Sequence, residues 1–258
     1  MASLNGKTAL ITGASSGIGF GIAEYFGSIG AAVVIHARTA DDAAAAEARL
    51  RQSGCEVTSM AADLRDADAC RHTVRTAIAW RGGLDVLVNN AGMTDRAYLE
   101  DAPLELWEDI MAVNLRAPFL CLQEAVKSMK TRGGGSIVNI GSTNAYVGAP
   151  KLGPYSVSKG GLMTLTRNAA AALNRYRIRV NQLNVGWTLT EGEQAVQRQQ
   201  GTRQDWLADA SAMMPFGRLL TPREIALAAA YFASDDSALI TGSVLDLEQT
   251  PVGAFTDF

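Results

Sequence analysis

Seven short runs rich in apolar and β-branched residues recur along the chain, at residues 8–12, 32–37, 57–61, 84–89, 136–140, 178–183 and 243–247. Between most of them lie longer stretches with helical apolar spacing, at 17–29, 41–52, 66–80, 104–129, 155–175 and 222–232. A strand, a helix and another strand in repeated succession make βαβ units, and such units build a parallel sheet. The runs are almost continuously apolar, as strands become when helices cover both sheet faces. The expected fold is therefore α/β, a doubly wound seven-stranded parallel sheet. No Pro/Gly/Ser linker or repeat interrupts the succession, so residues 1–258 are expected to form one domain. The exception is 187–214, a glutamine-rich stretch between Gly186 and Pro215 that suits a lid-like insertion over a site.

Between the first strand and first helix stands Thr12-Gly13-Ala14-Ser15-Ser16-Gly17-Ile18-Gly19. Glycines there permit a tight turn and close backbone approach, and the N–H groups opening the helix offer partial positive charge to a pyrophosphate. Three glycines alone also fit an ordinary strand-to-helix turn. Further along, Tyr155 and Lys159 are spaced i, i+4, which puts them on one helix face. A free phenol ionises near 10, so a neighbouring ammonium and a cationic nicotinamide ring together are expected to lower Tyr155 toward use as an acid or base. Taken alone, such a pair is more often a tyrosine beside a surface lysine. Ser142, expected just beyond the fifth strand, changes that balance, because open α/β sheets place their ligands at the carboxyl ends of strands.

The whole chain resembles the short-chain dehydrogenase/reductase family, in its branch of roughly 250-residue single-domain Rossmann subunits. The glycine spacing matches, followed in order by Asp63, Asn89-Asn90-Ala91-Gly92, Asn114, Ser142, Tyr155 and Lys159. The resemblance implies that Gly13, Ser15, Ser16, Gly17, Ile18 and Gly19 hold the cofactor phosphates and that Asp63 and Leu64 contact the adenine. It implies that Asn90, Ala91 and Gly92 line the floor toward the nicotinamide, with Gly186, Thr188 and Thr190 placing the ring. Ser142 would polarise the substrate oxygen, Tyr155 would transfer the proton, Lys159 would also reach the nicotinamide ribose, and Asn114 would join a water-linked relay. Asn144 and Trp187 are candidate substrate contacts. The sequence departs from the family pattern at Val185, where a proline is usual before Gly186, and at residues 246–250, where a glycine pair is usual.

Cofactor choice is expected to turn on the end of the second strand, where an NAD enzyme of this fold presents an acid to the ribose hydroxyls. Here Ala37 and then Arg38 follow, and a guanidinium can bind a 2′-phosphate through paired bonds, so NADP(H) is expected over NAD(H). Ser16 replaces the second basic residue that some NADP(H)-using relatives carry.

Other chemistries find no footing. His36 and His72 are too sparse for a metal site, and neither Gly-x-Ser-x-Gly nor a phosphate-loop lysine motif occurs. The net charge of -3 comes from interspersed signs without a basic stripe, which argues against nucleic acid. Cys55, Cys70 and Cys121 form no framework and suit a reducing compartment. Residues 1–6 lack the pattern of an export signal, and the apolar stretch 225–233 is too short to span a membrane. The expected protein is cytoplasmic and oxidises or reduces a small polar substrate such as a sugar or polyol; the resemblance implies a homotetramer, because relatives pair through the long helices read here at 104–129 and 155–175. A 3-oxoacyl-thioester or general ketone reductase is the alternative, and a non-catalytic nucleotide sensor is more distant because the Ser142, Tyr155 and Lys159 set is intact.

Overall fold

The computed structural model describes residues 2–199, 201 and 205–253. Its elements, in chain order, are β1 (Thr8–Ile11), α1 (Gly17–Ser28), β2 (Ala32–Ala37), α2 (Ala40–Gln52), β3 (Val57–Ala61), α3 (Ala67–Arg81), β4 (Val86–Asn89) and α4 (Leu104–Met111). Then follow α5 (Ala117–Thr131), β5 (Gly135–Ser142), α6 (Gly153–Leu173), β6 (Ile178–Val185), α7 (Glu191–Gln199), α8 (Trp206–Met213), α9 (Pro222–Ala233) and β7 (Val244–Leu247). Among the described residues the strands form one seven-stranded parallel sheet, ordered β3-β2-β1-β4-β5-β6-β7. The order reverses between β1 and β4, the switch point at which open α/β sheets leave a crevice.

Each central strand divides its side chains between two cores. Ile11, Val33, Ile35, Val88 and Ile140 pack on one face with Phe26 of α1, Leu50 of α2 and Ile225 of α9. Leu10, Val34, Leu87 and Ile137 point to the other face, against Val74 of α3, Met129 of α5 and Ala169 of α6. Both halves of the alternation are apolar, which is why the sequence shows continuous runs. At Gly21 a Cβ would stand 2.7 Å from Pro222 Cβ, so the bare glycine lets α1 lie directly against the start of α9. That start is a capping box of Thr221 and Glu224, with the Thr221 N–H donating to the Glu224 carboxylate at 2.9 Å.

Two expectations require correction. The unbroken helix over 104–129 is divided: α4 and α5 are joined by a π turn at Ala112–Arg116. Pro118 has no N–H for the Asn114 carbonyl four residues earlier, and the backbone widens just there. Strands β5 and β6 also run farther than expected, because their pairing continues through Gly141↔Asn184 and Ser142↔Val185. Ser142 is consequently the last residue of β5, held by the sheet. The glutamine-rich stretch contains α7 and α8, and its Gln200 lies outside the described residues.

Candidate active site

Every residue expected at the cofactor end sits at or just past the carboxyl edge of a strand. Gly13 and Gly17 adopt φ of 62° and 54°, a left-handed region open to glycine without strain. A Cβ on Gly19 would lie 2.3 Å from the Gly13 carbonyl oxygen and 2.4 Å from Asn90 Nδ2, so only a bare backbone lets α1 start beneath the turn. Asn90 braces that turn by donating from Nδ2 to the carbonyls of Thr12 (2.9 Å) and Gly13 (2.8 Å), while Thr12 Oγ1 accepts the N–H groups of Asn90 (3.0 Å) and Ala91 (3.1 Å). Ser16 is the N-cap of α1, yet its side chain makes no capping bond and no acid occupies the first helical turn. The positive end of α1 beyond Ser15, Ser16, Gly17 and Ile18 is therefore not satisfied by the helix's own side chains, which fits a bound pyrophosphate.

A participant that sequence reasoning set aside is His36. Its Nδ1 accepts the Gly13 N–H at 3.2 Å, its carbonyl accepts the Ala14 N–H at 2.8 Å, and its Nε2 meets the Ala62 carbonyl at 3.0 Å. Accepting at Nδ1 requires a neutral ring with the proton on Nε2. Burial lowers its pKa accordingly, against opposing contributions from the Ala62 carbonyl and the Asp63 charge. His36 thus ties the glycine turn to the end of β3. Its only sequence signal is a polar residue next to the end of an apolar run.

Arg38 is exposed just after β2 and makes no hydrogen bond or ion pair among the described residues. Asp63 does not cap α3, which Asp66 caps by accepting the N–H groups of Asp68 (2.7 Å) and Ala69 (3.1 Å). Asp63 instead pairs with Arg65 at 2.7 Å, and that bonding, with a smaller contribution from the charge of Arg38, holds its carboxyl below the ordinary range. Leu64 is buried beside it.

At the other end the π turn directs Asn114 inward, where it is fully buried. Its Oδ1 accepts the Met93 N–H at 2.8 Å, and its Nδ2 donates to the Met93 carbonyl (2.9 Å) and to Ser158 Oγ (3.1 Å). A Cβ on Gly92 would lie 3.5 Å from Asn114 Oδ1 and 3.7 Å from Lys159 Nζ, so the end of the Asn-Ala-Gly segment abuts both. Tyr155 and Lys159 share one face of α6, with Lys159 Nζ 5.6 Å from the Tyr155 ring centre. Ser142 is hydrogen-bonded to the Tyr155 phenol, and its Oγ accepts the Asn144 N–H at 3.2 Å and Nδ2 at 3.4 Å.

Burial pushes the Tyr155 phenol above its ordinary 10, and the bond from Ser142 opposes this without reversing it. Lys159 does not bond the phenol; Nζ donates to the Ile140 carbonyl at 2.8 Å, and burial lowers its pKa to about 8. The protein alone thus holds Tyr155 as an acid, with Lys159 still mostly charged at pH 7.

The two departures from the family pattern prove to be neighbours. Asn184 pairs with Asp246 and Val185 with Leu247 along β6 and β7, and Asn184 Nδ2 donates to Asp246 Oδ1 at 3.0 Å. Gly186 packs against Glu248, where a Cβ would come within 2.2 Å of the carboxylate. Beyond it, Thr188 Oγ1 donates to the Gly186 carbonyl (3.0 Å), and Thr190 Oγ1 accepts the Glu193 N–H (3.1 Å), starting α7. Trp187 stacks on Trp206 at 6.1 Å and donates from Nε1 to Glu193 Oε1 at 2.9 Å. Gln197 donates to the same oxygen at 2.7 Å, and Arg96 approaches the other at 3.8 Å. Arg96, Glu193 and Trp206 meet only through the fold.

This geometry has close counterparts among known proteins. A family model described as enoyl-(acyl carrier protein) reductase matches residues 13–249. Dehydrogenase/reductase SDR family member 4 of Bos taurus is 35% identical across 94% of this chain and 86% of its own. The chain belongs to the short-chain dehydrogenase/reductase family. Gluconate 5-dehydrogenase of Gluconobacter oxydans, a further relative, is 34% identical over 94% of this chain and 93% of its own. Among solved structures, a proposed NAD(P)-dependent gluconate 5-dehydrogenase from Beutenbergia cavernae, crystallised with NADP at low occupancy, superposes with a TM-score of 0.88. It is 32% identical, with 96% of this chain and 97% of that one covered. As a short-chain dehydrogenase/reductase, the protein is an oxidoreductase acting on CH–OH groups.

Proposed function

We propose that this short-chain dehydrogenase/reductase is an NADP(H)-dependent enzyme for a small polar hydroxy compound, such as a sugar or polyol. The observation carrying the reading is the grouping of Ser142, Tyr155 and buried Lys159 at the same sheet edge as the glycine turn. When bound, the nicotinamide cofactor supplies or accepts the hydride. Gly13 and Ser15 to Gly19 would receive its phosphates on backbone N–H groups, while Asp63, Leu64 and Asn90 to Gly92 would line the remainder toward Gly186, Thr188 and Thr190. Ser142 holds the substrate oxygen and the Tyr155 phenol in one hydrogen-bond system, so Tyr155 gives its proton in reduction and takes it in oxidation. Lys159 adds positive charge behind the phenol, and Asn114 fixes the Met93 backbone and the Ser158 hydroxyl around which the proton path runs.

Arg38 supports the choice of NADP(H): it is exposed and has no hydrogen bond or ion pair to displace among the described residues, and Ala37 stands where an NAD enzyme of this fold has its acid. The polar substrate is supported by α7, whose Glu193 turns inward onto Trp187 and is bonded by buried Gln197 while Arg198 and Gln199 face solvent. A segment closing over a long acyl chain would offer more apolar surface. An exposed groove lined by Trp107, Met111, Leu115, Phe119 and Leu165, between α4, α5 and α6, supports pairing of subunits there. Together with exposed Leu227, Tyr231 and Leu245 on α9 and β7, it supports a homotetramer. No helix among the described residues is long and apolar enough to cross a membrane, and the three free thiols accord with a cytoplasmic site.

The test is kcat/KM for aldoses and polyols against 3-oxoacyl thioesters and apolar ketones, each with both cofactors. Polar substrates and NADP(H) should lead, and Arg38→Ala should remove about 1 to 3 kcal/mol of cofactor selectivity through lost charge-assisted bonds. A tenfold preference for thioesters or apolar ketones ends the substrate reading, and equal use of NAD and NADP by the native enzyme ends the cofactor reading.

A further inference from the structure

Helix α1 has no acidic residue in its first turn, but one reaches it from elsewhere. Glu191 Oε2 accepts the Gly17 N–H at 3.3 Å across a separation of 174 residues. Its neighbour Thr190 lies over the same turn, where a Cβ on Gly17 would meet Thr190 Cβ and Cγ2 at 3.4 Å. Helix α7 does not use the Glu191 side chain to begin, because Thr190 Oγ1 already accepts the Glu193 N–H. The carboxylate is spent on α1 instead. Two residues on, Glu193 binds Trp187, Gln197 and Arg96. A single helix therefore spans from the phosphate end of the proposed cofactor site to the wall of the proposed substrate site.

We propose that Glu191 occupies the pyrophosphate seat on the glycine turn and yields it to the dinucleotide, so that it sets cofactor affinity and couples cofactor binding to displacement of α7. This rests on the reading of the turn as a dinucleotide site. An N–H donor and the positive end of one helix attract either anion, but a carboxylate and a pyrophosphate side by side repel. Cofactor binding must therefore break the Glu191 contact. Thr190 and Glu193 are carried by the same backbone, so Trp187 loses or changes its partner when α7 shifts.

Trp187 and Trp206 report this directly by fluorescence. Native protein, Glu191→Gln and Glu191→Ala would be titrated with NADPH and, separately, NADH, with melting curves confirming that each is folded. Removing the charge should tighten binding of both dinucleotides about 3- to 10-fold, and by the same factor, because the pyrophosphate is common to them. Glu191→Ala should bind at least as tightly as Glu191→Gln. The gain should shrink as salt is raised. Inorganic pyrophosphate should shift the tryptophan emission of the native protein toward that of Glu191→Ala. Unchanged or weaker dinucleotide affinity in both variants overturns the role of Glu191. Failure of either dinucleotide to bind any of the three proteins overturns the dinucleotide reading itself, so the two failures are told apart.

Discussion

Tyr155→Phe is expected to lower kcat/KM by at least ~100-fold while dinucleotide affinity stays close to that of the native enzyme. The substitution deletes one oxygen and keeps the ring, so the face that α6 presents toward Lys159 is preserved. Ser142 loses its bond to the phenol but retains those from the Asn144 N–H and Nδ2, which keeps the end of β5 in place. What disappears is the proton donor. The direction of the Tyr155 shift adds a second signature: with the phenol held above 10 by burial, the protonated form needed for reduction is present throughout the neutral range. Oxidation needs the ionised form and should accelerate as pH rises, whereas reduction should not. Turnover, tryptophan-monitored dinucleotide titration and the pH dependence in each direction check these expectations. Retention of more than a tenth of native turnover by Tyr155→Phe would remove Tyr155 from the chemistry.

The sheet was legible because burial on both faces makes a strand apolar from end to end, and ends such as Asn89 and Ala37 follow from the polar or glycine residues beyond them. Order along the chain then placed Ser142 and Tyr155 together, since Ser142 ends β5 and Tyr155 lies in the first turn of α6, the next long element. Asn114 was found, but not the π turn that aims it: Pro118, in the middle of the stretch read as one helix over 104–129, carried that information, and the apolar spacing on both sides of it was read through. The polar residues inside apolar runs were visible without their partners. Asn89, Asn139, Thr166, Gln182 and Asn184 form a continuous buried series of hydrogen bonds of 2.7–3.0 Å across β4, β5, α6 and β6, a pairing that only the register fixes. The same holds for His36 under Gly13, Arg96 against Glu193 and Glu191 on Gly17. Each joins residues far apart in sequence through side-chain direction, which neither periodicity nor composition encodes. The lowering expected for the Tyr155 phenol rests on the ammonium and a cationic nicotinamide ring together; in the protein alone burial raises the phenol, and the Lys159 bond goes to the Ile140 carbonyl.

Lys159→Met is expected to abolish turnover by at least ~100-fold and yet raise the stability of the protein at pH 7 by about 1 to 2 kcal/mol. Lys159 is 4% exposed, and burial takes its pKa from an ordinary 10.5 to about 8. Each pKa unit corresponds to about 1.4 kcal/mol, so keeping the ammonium in the fold costs about 3 kcal/mol wherever both folded and unfolded chains are protonated. Methionine fills a similar length without a charge. The substitution also strips the Ile140 carbonyl of its 2.8 Å donor, which returns about 1 to 2 kcal/mol of that cost. The sign of the pH dependence follows from the lowered folded-state value. Below pH 8 the penalty in the native protein is complete; from pH 8 to 10.5 the folded chain releases a proton that the unfolded chain keeps, and the native protein gains stability with rising pH. The advantage of the variant should therefore be largest at pH 7 and fade toward pH 10. Urea unfolding of both proteins at pH 7, 8.5 and 10 measures it, with turnover assayed alongside. A variant less stable than the native protein at pH 7, or an advantage unchanged at pH 10, would show that Lys159 is held by its contacts more than it is penalised by its burial. A stability gain joined to lost turnover would identify Lys159 as a charge kept for chemistry at the expense of the fold.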